Sequence, residues 1–131
     1  DKEEFYFPWE RTSEKDRMLS LRYAGLLYGN LEGDLCISRG IYDAQDVIKV
    51  IMAGASVVQV VSTVYKNQPQ VITEILDGIS KWMDGKKYAE LSDFRGKLSR
   101  KSLKDPFAYK RAQYIDILTK SDQIFKKYPM V

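Results

Sequence analysis

The sequence predicts an α/β chain whose parallel strands cannot complete a sheet by themselves. Three observations carry this expectation. Leu35-Cys36-Ile37 and Val57-Val58 with Val60-Val61 are short apolar runs, and the second is almost entirely β-branched. Between them lies a stretch with helical apolar spacing, and the connections are short and marked by glycine. A strand–helix–strand unit with such connections requires a parallel pair and a right-handed crossover. Two strands buried on both faces still present an open edge on each side. The expected partner is the remainder of a larger sheet or a second copy of the chain.

Taken in order, Phe5 to Trp9 is aromatic-rich and contains Pro8, so it reads as an irregular packed lead-in. Ser13 and Asp16 form an N-cap pair able to satisfy free helix-end amides. Met18, Leu19, Ala24, Leu26 and Leu27 follow at helical spacing, and Gly29 marks a stop. The first strand ends at Ser38-Arg39-Gly40. Asp43 is placed to cap the next helix, whose apolar positions are Val47, Ile48, Ile51 and Met52 and which ends at Gly54. After the second strand and Ser62-Thr63, a helix opens near Pro69, with Ile72, Ile75, Leu76, Ile79 and Met83 as its expected buried stripe and Gly85 as its end. From Tyr88 onward short helical pieces are expected, one over 106–118 with Phe107, Ala112, Ile115 and Leu118 as apolar anchors. The chain thus divides into a lead-in and helix (1–30), two β/α units (31–85) and a helical tail (86–131).

Composition narrows the function classes. The 131 residues include no histidine, which removes histidine general acid–base chemistry, Ser-His-Asp triads and histidine metal sites from this chain. The lone Cys36 cannot form an internal disulfide, in keeping with a reducing, cytoplasmic setting. Within an apolar strand, and with no histidine to activate it, it is expected to be a buried structural thiol. No apolar run approaches the ~20 residues of a membrane span. The opening Asp1-Lys2-Glu3-Glu4 lacks a Met and any signal-peptide pattern, which leaves open that the chain is a piece of something longer. Residues 1–85 hold 9 Lys and Arg against 13 Asp and Glu, whereas residues 86–131 hold 12 against 5. No nucleic-acid motif accompanies that basic tail, so it reads as a solvated surface rather than a nucleic-acid interface.

Ligands of α/β proteins bind at the carboxyl ends of strands. Here those ends are Ser38-Arg39-Gly40 and Val61-Ser62-Thr63. Gly40 permits close backbone approach to an anion, Ser62 and Thr63 supply hydroxyls, and Arg39 a charged fork. Small residues after buried strands are also common without any ligand. Asp34 and Asp43 lie at opposite ends of the first strand and cannot work as a carboxylate pair.

Gly40-Ile41, Asp46-Val47-Ile48 and the run from Met52 through Ala53, Gly54, Ala55, Ser56, Val57, Val58 and Gln59 to Val60 closely resemble the seventh and eighth β/α units of class 1 dihydroorotate dehydrogenases. So do Tyr65-Lys66-Asn67 leading through Pro69, and Leu91-Ser92-Asp93-Phe94-Arg95-Gly96-Lys97-Leu98. The likeness covers about Leu21 to Leu98. The tail, with Asp105-Pro106 and Arg111-Ala112-Gln113-Tyr114, looks like that of dihydroorotate dehydrogenase-like flavoproteins.

The resemblance implies the last two β/α units and helical tail of a (β/α)8 TIM barrel, incomplete as a lone chain. It also implies an FMN-dependent oxidoreductase of pyrimidine biosynthesis, converting dihydroorotate to orotate, whose partners are the rest of the barrel and a small-molecule substrate. In that family the FMN phosphate is held by a Gly-Gly pair and a Gly-Thr or Gly-Ser pair. These correspond to Arg39-Gly40 and Val61-Ser62, with Thr63 adjacent, so Arg39 and Val61 replace glycines and add bulk. No segment matches the family's catalytic base or substrate-binding residues, and no catalytic or metal-binding residue is assigned. The rival expectation is a catalytically inactive barrel segment that acts as an oligomerising module.

Overall fold

The structure, a computed structural model, describes residues 12–13 and 16–102. The lead-in at Phe5 to Trp9 and the tail helix expected over 106–118 lie outside the described residues. The element order is α1 (Asp16–Leu27), β1 (Cys36–Ile37), α2 (Ala44–Ala53), β2 (Val57–Val58), α3 (Ser62–Asn67) and α4 (Gln70–Lys86). Two 3-10 turns follow, at Leu91–Asp93 and Arg100–Ser102. The strands pair in parallel, Cys36 with Val57 and Ile37 with Val58, and α2 makes the crossover. No helix among the described residues is long and apolar enough to cross a membrane.

Helix α2 is the centre of the core because it is enclosed by α1, α4 and the sheet. Val47, Ile48, Val50, Ile51 and Ala53 are all buried, and each large aliphatic side chain so buried contributes about 1.5–3 kcal/mol. Its ends form as expected. The Asp43 carboxylate accepts from the Asp46 amide at 2.8 Å, and Gly54 closes the helix at φ 128°. The segment Phe94 to Leu98 then locks this end: the Gly96 and Leu98 amides donate to the Ile51 and Met52 carbonyls at 3.1 and 2.7 Å. Gly96 is required there, because a Cβ would strike the Tyr28 ring. Phe94, fully buried, meets Trp82 edge-on at 5.0 Å and Tyr88 at 5.5 Å, fastening the segment to α4.

The starts of the helices are tied by a buried ion pair. The Arg17 guanidinium donates to the Asp46 carboxylate, whose other oxygen accepts from the Tyr42 amide at 3.0 Å. Asp46 is only 4% exposed.

Several expectations are corrected. The strands are not buried on both faces: Cys36 is exposed rather than a buried thiol, and Val57 is 55% exposed. The helices cover one face of the sheet, and nothing among the described residues covers the other. The second strand ends at Val58 instead of running to Val61; the Gln59 amide makes the final bond to Ile37, and a short helix, α3, begins at Ser62. The expected Ser13–Asp16 pair does form at the start of α1, where the Asp16 carboxylate accepts from the Ser13 amide and hydroxyl. Met18, Leu19 and Leu27 of α1 face outward, whereas Leu21, Ala24 and Gly25 face the core. In α4, Val71 and Ile75 are buried while Ile72 and Leu76 are exposed, so the stripe is rotated from the expected one. Gly85 lies inside that helix, which closes at Lys87 in left-handed conformation.

Replacing Arg17 with Ala leaves the Asp46 carboxylate buried without its cation. The expected loss is about 3 kcal/mol, the lower end for breaking a buried pair because Arg17 is partly exposed. Chemical denaturation measures it, and a variant as stable as the parent contradicts the role given to this pair.

Candidate functional site

The parallel strands end side by side, and the loops that follow them line one cavity of about 180 Å³. Ser38, Arg39 and Gly40 come from the first loop, and Gln59, Val60, Val61 and Ser62 from the second. Thr12, Ile41 and Tyr65 complete the wall. Three of the four residues singled out by the sequence, Arg39, Gly40 and Ser62, therefore meet at one place.

Each is positioned by a local cause. Arg39 and Gly40 both have positive φ, 79° and 66°, so the chain turns sharply as it leaves β1. Glycine takes this conformation freely; for Arg39 it costs about 1–2 kcal/mol. Gly40 has a packing reason as well. A Cβ there would come within 2.5 Å of the Arg17 amide nitrogen, so the residue lets α1 approach the loop. The Ser38 carbonyl accepts from the Ser20 hydroxyl at 2.8 Å, which holds the loop from the helix side.

Ser62 shares a hydrogen bond of 2.9 Å with the Thr12 hydroxyl, so both hydroxyls are held at the rim. Thr63 is not part of the cavity wall. It is fully buried, donates to the Tyr42 carbonyl at 3.3 Å and accepts from the Asn67 side-chain Nδ2 at 3.2 Å. Its hydroxyl fixes α3 against the loop that carries Tyr42. Tyr42 in turn donates through its phenol to the Thr12 carbonyl. Thr12, Gln59 and Tyr65 carried no expectation as site residues. Gln59 offered a signal, as a polar residue within a valine run, whereas Thr12 comes from a remote part of the chain.

Among these wall residues Arg39 supplies the one charge, and no carboxylate is present. The hydroxyls and a guanidinium suit a small anion. The volume lies below the ~300 Å³ of the smallest usual ligand pockets, so the cavity suits a phosphate-sized group rather than a whole nucleotide. An FMN phosphate thus fits the size and donor chemistry found here. Among the described residues no group of three or more His, Cys, Asp or Glu is arranged to hold a metal ion.

Just outside the wall, the Ser13 backbone amide above all holds the Asp16 carboxylate below its ordinary value of 3.8, with the Ser13 hydroxyl and the Arg39 charge adding to it. A carboxylate stabilised in the folded state strengthens the fold above its ordinary range and loses that effect as pH falls through the lowered value. The first turn of α1 is therefore expected to fray below about pH 3.8, seen as faster amide exchange at 16–18. In Asp16→Asn the same turn is expected to fray already at neutral pH, and unchanged exchange there contradicts the assignment. Arg39→Gly is expected to stabilise the chain by about 1 kcal/mol by releasing the left-handed arginine. A lower denaturation midpoint contradicts the strain.

Comparison with known proteins gives the family. The profile of the family described as dihydroorotate dehydrogenase matches residues 17–83, just over half the chain. A Streptococcus uberis protein named putative dihydroorotate dehydrogenase A (fumarate) is 36% identical over 59 residues. That stretch is 45% of this chain and 19% of the relative, so the chain matches only a small part of that protein's length. Both loops of the cavity fall within the matched residues, and the chain belongs to the dihydroorotate dehydrogenase family.

Proposed function

We propose that this chain supplies the phosphate-binding end of an FMN site in a dihydroorotate dehydrogenase-type oxidoreductase. The observation that carries this is the cavity at the carboxyl ends of two parallel strands, with hydroxyls and a single guanidinium in its wall and no carboxylate. Arg39 would neutralise phosphate charge, the Ser62 hydroxyl would donate to a phosphate oxygen, and Gly40 would let the loop backbone approach. Thr63 acts indirectly by holding α3. Bound FMN would supply the hydride acceptor for oxidation of dihydroorotate to orotate. The flavin ring would lie beyond the cavity, which has room for the phosphate alone, and the surrounding wall would come from the rest of a (β/α)8 barrel. No catalytic residue is assigned to this chain.

An apolar groove along the edge of β2 favours a second reading, an interaction module. Val58, Val60, Ile72, Ile75, Leu76 and Ile79, with Val47, line an apolar groove of about 150 Å³ between β2 and α4. A strand edge beside such a groove invites a neighbouring strand. This reading predicts concentration-dependent self-association in sedimentation, and a monodisperse monomer at high concentration contradicts it.

FMN and riboflavin differ by the phosphate, which makes their comparison the test. Fluorescence quenching of FMN on adding the chain, with little quenching of riboflavin, is the expected result. Arg39→Ala is expected to weaken FMN binding about tenfold, the equivalent of ~1.4 kcal/mol and typical of a hydrogen bond to a charged group. Equal quenching of both flavins, or of neither, contradicts the phosphate reading.

A further inference from the structure

A phosphate monoester carries nearly two negative charges at neutral pH, and the cavity wall supplies one positive charge, Arg39. That charge is already shared, because Arg39 acts on the Asp16 carboxylate just outside the wall. Arg17, whose backbone lies behind Gly40, is committed to the buried Asp46. Arg39 and Asp16 nearly cancel, so a bound dianion would keep most of its charge unanswered. Taking such a charge out of water without a partner is costly. A site for this group calls for a second cation within reach.

Lys66 is placed to be that cation. Ser62 and Lys66 are four residues apart in α3, so their side chains leave the helix as neighbours on one face. Tyr65, three residues after Ser62, shares that face and lines the cavity with it. The Lys66 ammonium rests 4.8 Å from the centre of the Tyr42 ring. Tyr42 itself reaches the rim: its phenol donates to the carbonyl of Thr12, whose hydroxyl meets that of Ser62 at 2.9 Å. The ammonium is thus parked one ring away from the wall. Lys66 is exposed, and among the described residues no carboxylate pairs with it. A cation over a partly exposed ring is held weakly, whereas a charge-assisted hydrogen bond is about twice as strong as a neutral one. The flexible stem of lysine lets the ammonium move from one to the other.

We propose that Lys66 is a second anion-binding residue of this cavity, leaving the Tyr42 ring to meet a phosphate oxygen from the α3 side while Arg39 meets the anion from the β1 side. The inference rests on the phosphate-binding reading of the cavity and adds a specificity to it. Two cations against one nearby carboxylate select a dianionic phosphate monoester, the class to which the FMN phosphate belongs, over a singly charged diester.

Methyl phosphate, a monoester, and dimethyl phosphate, a diester, are the probes, with binding to the whole chain followed by amide shifts at Gly40 and Ser62. The unsubstituted chain is expected to prefer methyl phosphate. Lys66→Met keeps the length of the stem and is expected to weaken methyl phosphate binding about tenfold, leaving dimethyl phosphate nearly unchanged. Lys66→Arg is expected to retain the preference. The Lys66 Cε protons, shielded while they lie near the Tyr42 ring, are expected to move downfield as methyl phosphate saturates. An equal loss for both probes in Lys66→Met would mean that the lysine only props Tyr42, and would overturn the inference. So would Cε resonances that stay in place. No binding of methyl phosphate by the unsubstituted chain would remove the phosphate reading and this inference together. Binding that Lys66→Met leaves intact would remove this inference alone.

Discussion

The ion pair between Arg17 and Asp46 joins the two places on which the rest of the structure depends. Arg17 sits in the first turn of α1 and Asp46 in the first turn of α2. The second oxygen of Asp46 holds the Tyr42 amide. Tyr42 passes the constraint on, through its carbonyl to Thr63 at the start of α3 and through its phenol to Thr12. Thr12 completes the circuit by its bond to Ser62. Thr12 and Thr63 are therefore two hydrogen bonds from a buried carboxylate, and Ser62 is three. Because Asp46 is almost inaccessible to water, losing its cation is costly, and that cost fixes the geometry.

The loop after β1 accommodates a bulky residue in a strained turn. Arg39 occupies a left-handed turn suited to glycine, and Gly40 follows in the same region. Packing against α1 demands glycine at 40 but not at 39, where the side chain is exposed. An arginine can stand there at a modest backbone cost, bringing positive charge to a wall otherwise made of hydroxyls, amides and apolar groups. Val61 differs: its side chain is 51% exposed and narrows the rim without contributing a donor.

Much of this was legible in the sequence. The Asp43 cap, Gly54 and the four-residue rhythm of Val47 and Ile51 specify α2 locally, so it formed where expected. The parallel pairing followed from two apolar runs flanking that helix. Burial was not legible, because apolar spacing identifies faces without saying what covers them. Cys36 and Val57 looked like core and proved exposed, since one side of the sheet has no layer over it. Val60 and Val61 looked like strand, but the ladder ends at Val58 and the chain enters α3 at Ser62. At the site, Arg39, Gly40 and Ser62 were readable from their position after strands. Thr63 was not distinguishable from Ser62, because only the packing shows its hydroxyl facing Tyr42 and Asn67.

If the chain binds phosphate as proposed, the buried ion pair holds the receiving loops in shape. Titrating the chain with inorganic phosphate while following amide resonances tests it most directly, in the parent and in Asp46→Asn. The account predicts saturable shifts at Gly40 and Ser62 in the parent. In the variant those shifts are lost, while the resonances of Val71 and Ile75 in α4 keep their folded positions. Equal phosphate affinity in the two proteins, or no shift at either loop in the parent, would contradict it.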